Sequence, residues 1–143
     1  MTDSKELVRR FANSLNSHNV DDFDELFAPD YILHDPGTPG GILQGLEDIK
    51  DHTAMLYRGM PDFYTTIEEL IAEDDRVVGR FTHRGTHLEE MLGMPPTGNK
   101  VEVEAINIYK IADGKFVEGW GEIDTITLLQ QLGLMGGAGG AAQ

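Results

Sequence analysis

The chain has 143 residues, no cysteine and a formal net charge of −14. That length suits one domain with a real core. The absence of cysteine excludes thiol catalysis, disulfides and thiolate metal sites. The acidic balance argues against nucleic acid or an anionic membrane as partner, because binding to phosphate depends on lysine and arginine.

In chain order, Asp3 with Glu6 forms a capping-box-like start, and Leu7, Val8, Phe11, Ala12 and Leu15 then recur at helical spacing. This first amphipathic helix fades at Ser17-His18-Asn19. Asn19 is placed to cap a short second helix with Phe23, Leu26 and Phe27 inward, and Pro29 lies just beyond its end. Tyr31 to His34 reads as a short strand, and Asp35-Pro36-Gly37 with Pro39-Gly40-Gly41 as a loop. Leu46, Ile49, Thr53, Leu56 and Tyr57 define the stripe of a third helix, ended by Gly59 and Pro61.

From Phe63 the period changes from helical to alternating. Phe63 to Glu73 and Arg76 to Leu88 read as strands joined at Asp74-Asp75, with Val77, Phe81, His83 and His87 on one side of the second. Gly93 to Gly98, GMPPTG, reads as a loop, because proline cannot donate to a ladder. Val101 to Ile111 and Lys115 to Asp124 then form a hairpin around Ala112-Asp113-Gly114. Thr127 with Gln130 suggests a capping box for a last helix over Leu128 to Leu132, with Gly133 as its C-cap. Residues 1–135 are expected to be one domain, and 136–143, GGAGGAAQ, a flexible glycine- and alanine-rich tail. Helices first and a meander of long antiparallel strands after them predict an α+β fold whose curved sheet wraps the N-terminal helices and leaves a concave space.

The candidate chemistry gathers on the last hairpin. Strict alternation puts Phe116, Glu118, Trp120, Glu122 and Asp124 on one face, an acidic and aromatic pattern that suggests a pocket wall. Burial beside Trp120 and repulsion from Glu118 or Glu122 would raise the pKa of Asp124, and such a carboxyl serves as a general acid or base. The alternative is that Asp124 only caps the final helix, a common place for Asp before Thr-x-Thr-Leu-Leu. His34, where a strand meets a Pro/Gly loop, is a candidate proton carrier or donor, or else polar surface. Asn107, the lone amide on its strand face, is a candidate ligand contact or satisfies a buried backbone group. His83 and His87 mimic a zinc pair, but four residues along a strand span about 13 Å, too far for one ion, so no metal site is expected. Either imidazole is left as a separate pocket contact. No GxGxxG after a strand, P-loop or GxSxG elbow occurs, which leaves nucleotide and serine-hydrolase readings without a motif.

Several motifs occur together in order: HDP at His34 to Pro36, MPDF at Met60 to Phe63, RGTH at Arg84 to His87, GMPPTG at Gly93 to Gly98, DGK at Asp113 to Lys115, E-x-W-x-x-x-D from Glu118 to Asp124 and QQLG at Gln130 to Gly133. With them the chain from Phe11 to Gly133 resembles the SnoaL-like polyketide cyclases of the nuclear-transport-factor-2-like superfamily. The resemblance implies a cone-shaped α+β barrel, a cofactor-free mechanism, and homodimers or homotetramers formed through the sheet. It implies an acid/base enzyme acting on a hydrophobic carbonyl substrate by intramolecular aldol condensation, with Asp124 as acid/base, His34 as helper and Trp120 as wall. Gly119 stands where such cyclases often carry histidine. Asn107, His87, Phe81 and Phe116 complete the expected substrate contacts. A non-catalytic ligand-binding domain is the alternative reading, and an epoxide hydrolase or isomerase of the same superfamily the third. With a charged N-terminus and no stretch approaching a membrane span, a soluble cytoplasmic protein is expected.

Overall fold

A computed structural model describes residues 3–134. The chain runs α1 (Ser4–Asn16), α2 (Phe23–Leu26), β1 (Phe27–His34), β2 (Ile42–Gln44), α3 (Leu46–Gly59), β3 (Tyr64–Glu73), β4 (Arg76–Thr86), β5 (Lys100–Ala112), β6 (Lys115–Ile123) and α4 (Thr125–Gln131). One six-stranded sheet has the order β2-β1-β6-β5-β4-β3. The fold is α+β, as the element order predicts. The segment 136–143 lies outside the described residues. No described helix is long and apolar enough to cross a membrane.

Local chemistry explains most element boundaries. Asp3 caps α1 by accepting from the Lys5 N–H at 3.0 Å, while Glu6 pairs with Arg9. The β5–β6 turn places Asp113 at φ 53° and Gly114 at φ 77°, the positive pair a two-residue hairpin turn demands. Asp124 begins α4, three residues before the Thr127 start suggested by the capping-box pattern. Its carboxylate accepts from the Thr127 N–H at 3.1 Å and the Thr127 O–H at 2.7 Å.

Three features depart from the sequence reading. Phe27 opens β1 instead of closing α2, and β1 lies parallel to β6, so the sheet is mixed. The Pro/Gly segment leads into β2, a short edge strand antiparallel to β1. The third departure is a bulge in the last hairpin. Ile111 stands opposite Phe116 but Lys110 opposite Glu118, so Val117 is one residue extra on β6. Phe116 therefore points inward, and beyond the bulge the alternation reverses: Gly119 and Gly121 are buried and face in, while Glu118, Trp120 and Glu122 face the other side.

Two apolar clusters lie under the sheet. Leu7, Val8, Phe23, Leu26, Phe27, Tyr31, Val77, Phe81, Tyr109 and Phe116 form the first, and Met60, Phe63, Met91, Val101, Val103 and Leu132 the second. Phe11 of α1 stands edge-on to Phe27 at 5.0 Å and to Phe23 at 5.3 Å, anchoring the helix inside the curve of the sheet.

Candidate functional site

The space between the two clusters is an apolar cavity of about 230 Å³. Its walls come from α1 (Phe11, Leu15), α3 (Ile49, Leu56) and the inward faces of β4 and β5 (Phe81, Val103, Ala105). That is slightly below the usual range for small-molecule sites, roughly 300–1,000 Å³, and its apolar lining with a few polar points matches their character.

The polar points are Asn107 and Tyr109 on β5, His83 on β4, and His52 with Asp35 on the α3 and loop side. Asn107 Nδ2 donates to the Tyr109 hydroxyl oxygen at 3.0 Å, which leaves the hydroxyl proton free to donate elsewhere. Burial pushes the Tyr109 pKa up to about 12, so this hydroxyl stays protonated. His83 sits between the rings of Phe63, at 5.7 Å, and Phe81, at 6.1 Å and nearly parallel. Its Nδ1 is 2.9 Å from the Thr65 hydroxyl, which is 3.4 Å from the Thr82 carbonyl. Burial lowers the His83 pKa to about 4. Between pH 6.5 and about 4 the unfolded chain takes up a proton that folded His83 refuses, so this group costs stability as pH falls through that window. The His52 pKa is also lowered by burial, opposed by the Asp35 carboxylate.

Register places these points along the sheet. Asn107 pairs with Gly79 and His83 with Val103, so His83 and Asn107 are four residues apart along the strand direction, about 13 Å. Phe81 and Ala105, directly paired, cover the interval with apolar surface. A flat, elongated apolar body with oxygen atoms near its ends suits that spacing.

The expected site residues divide. Phe81 and Asn107 line the cavity as the sequence suggests. Phe116 faces inward but is consumed by the first core cluster, 4.8 Å from the Tyr109 ring. His87 is fully buried outside the cavity lining; its Nδ1 is 3.1 Å from the Thr97 hydroxyl and its Nε2 has no partner among the described residues. Trp120 and His34 are on the outer face of the sheet, because the Val117 bulge turns Trp120 out and His34 pairs with it across β1–β6. There His34 stacks on Trp120 at 5.4 Å, its Nε2 bonds Glu118 Oε2 at 2.7 Å, and Arg76 covers the indole at 5.1 Å. Asp124 also departs from the expected wall position. It is an exposed helix cap outside the cavity lining, and its bonds from Thr127 hold its pKa below the usual carboxylate range instead of raising it.

Sequence reasoning missed Tyr109, His52, Asp35 and Thr65. The residue after His34 in the HDP motif, Asp35, is the one that reaches the cavity. His52 precedes Thr53 of the apolar α3 stripe, a position from which an imidazole reaches the same space. Tyr109 lies two residues from Asn107 on one strand face, a signal that was legible.

Comparison with known proteins identifies the family of the chain. A model of the SnoaL-like polyketide cyclase family matches residues 5–132. The chain is 30% identical over 118 residues to the aklanonic acid methyl ester cyclase AcmA of Streptomyces galilaeus, covering 80% of each chain. It is 28% identical over 140 residues to the aklanonic acid methyl ester cyclase DauD of Streptomyces sp. (strain C5), covering 93% of this chain and 83% of that one. Among solved structures, TsrD of Streptomyces laurentii superposes with a TM-score of 0.83 at 27% identity, over 94% of this chain and all of that one (100%). IdmH of Streptomyces antibioticus gives 0.79 at 31%, over 90% and 97%. The chain belongs to the SnoaL-like polyketide cyclase family.

Proposed function

We propose that the chain is a cofactor-free acid/base enzyme that closes a ring on an aromatic polyketide ester by intramolecular aldol condensation. The observation that carries this reading is the apolar cavity with separated polar points, in a family whose similar members are named as ester cyclases. Removal of a proton α to a carbonyl, carbon–carbon bond formation and return of the proton exchange only protons, so the reaction asks the chain for positioning and proton transfer. Tyr109, polarised by the Asn107 amide, is placed to donate to a substrate oxygen at its end of the cavity.

Aklanonic acid methyl ester is the probe. Ring closure gives an isomer, so the expected result is a product of unchanged mass and altered retention in liquid chromatography. Absence of both saturable binding and an isomeric product would refute the reading. Asp124→Asn should convert the ester at the wild-type rate, since the side chain is outside the cavity, and should lower the melting temperature modestly by weakening the cap of α4.

We also propose that two copies pair through the outer sheet face. Ile71 and Ile106 are 56% and 50% exposed there, beside Trp120 and the Arg84–Glu102 ion pair. Sedimentation equilibrium should give a dimer at micromolar concentration and a monomer for Ile106→Glu. A monomeric wild-type chain would contradict the pairing.

A further inference from the structure

His83 and Thr65 form a unit that the cyclase reading leaves without a role. Thr65 is held from two sides. The Asn16 side chain at the end of α1 accepts from the Thr65 N–H at 2.7 Å and donates to its carbonyl at 2.9 Å, so the helix end fixes this residue of β3. Its side chain then meets His83 Nδ1 at 2.9 Å and the Thr82 carbonyl at 3.4 Å. A hydroxyl has one proton, and a carbonyl only accepts. With the hydroxyl proton on the Thr82 carbonyl, the Thr65 oxygen accepts from Nδ1–H, and the lone pair of the imidazole is on Nε2. No protein group among the described residues pairs with Nε2, and the ring lines the cavity between Phe63 and Phe81.

Resting on the cyclase reading, we infer that His83 is the catalytic base of this cavity, with Thr65 as the positioning residue that fixes its tautomer. Nε2 takes the proton from the carbon α to a substrate carbonyl, and the electron pair of that C–H bond becomes the enolate. The enolate carbon adds to a second carbonyl of the same molecule, forming the new C–C bond. The resulting alkoxide takes the proton back from the imidazolium, which returns His83 to its starting form. Through the cycle Nδ1–H stays on Thr65, so the chain from Nδ1 through Oγ1 to the Thr82 carbonyl also stabilises the imidazolium. The other ionisable side chains that reach the cavity are Asp35, His52 and Tyr109, and none of them is bonded to His83; Arg84 and Glu122 border it from strands on which their side chains face the outer side of the sheet. Arg84 is instead engaged with Glu102 at 2.9 Å. Behind Phe63, His18 stacks on Tyr57 at 3.9 Å. Because burial holds the imidazole neutral down to about pH 4, the base is in its working form across the physiological range.

The test follows conversion of aklanonic acid methyl ester, and deuterium uptake at its α-carbon in D₂O, by the wild type, His83→Gln, His52→Gln, Thr65→Val and Thr65→Ser. The expected result is a fall in kcat of roughly 100-fold or more for His83→Gln with KM nearly unchanged, the size of a general-base contribution. Thr65→Val should lower kcat and shift the acid limb of its pH profile, and Thr65→Ser should restore both. Wild-type activity should fall only as pH drops towards about 4. Undiminished exchange by His83→Gln, or loss in His52→Gln instead, overturns the inference and leaves the cyclase reading standing. An inert wild type that does not bind the ester overturns both. Should circular dichroism show that His83→Gln does not fold, the Thr65→Val and Thr65→Ser pair decides: equal rates and pH profiles overturn the role, and loss with rescue supports it.

Discussion

Gly119→His should cost the fold about 3 kcal/mol or more, a large part of the roughly 5–15 kcal/mol that stabilises a typical domain. A Cβ at this position would overlap the Tyr31 hydroxyl and stand 3.4 Å from the Ile108 carbonyl. Tyr31 is 1% exposed and sits edge-on to Phe27 at 4.7 Å, so the ring has no free space into which to retreat. An imidazole here would have to displace the first core cluster, and chemical denaturation should show a much lower midpoint at an unchanged slope. An unaltered midpoint would show that the core yields at this point. Gly119 is thus a packing requirement of this chain, imposed by Tyr31.

Gly121→Leu should weaken binding of the ester while leaving the chain folded. Gly121 pairs with Asn107, and a Cβ on it would come within 3.3 Å of Asn107 Oδ1, with the rest of a side chain directed into the cavity. Leucine would fill space next to the Asn107–Tyr109 pair and remove the opening that the missing side chain leaves. Affinity measured by calorimetry should fall at least tenfold, about 1.4 kcal/mol, and the added apolar contact should hold the melting temperature near the wild-type value. Wild-type affinity in this variant would place the ligand elsewhere. The two glycines are two residues apart on one strand face, yet one supports the core and the other shapes the cavity.

Much of the fold was legible because the signals are local. The α1 cap, the α3 stripe, the Asp113-Gly114 turn and the long β3 to β6 strands follow from residue type and period. The candidate site was less legible, and the misplacement of the β6 residues traces to a single one. Val117 gives nothing in its own type to mark a bulge, yet it reverses the facing of every later β6 residue. With it, Trp120 passes to the outer face and the glycines pass inside. His34 follows, because its facing is set by a parallel pairing with Trp120 that no local pattern announces. Phe81 and Asn107, whose facing did not depend on β6, line the cavity, whereas His87, equally independent of β6, lies outside it. That Asp124 caps a helix was visible in the Thr-x-Thr-Leu-Leu that follows it, and its two bonds to Thr127 make that cap.

The central claim is that ligand chemistry belongs to the inner cavity and not to the acidic and aromatic edge of β6. Titration of ¹⁵N-labelled protein with aklanonic acid methyl ester tests it most directly. Amide signals of Thr65, His83, Asn107 and Gly121 should move with the ester, while those of Thr125 and Thr127 and the indole N–H of Trp120 stay in place. Movement confined to Trp120, His34 and the Asp124 cap would contradict the account.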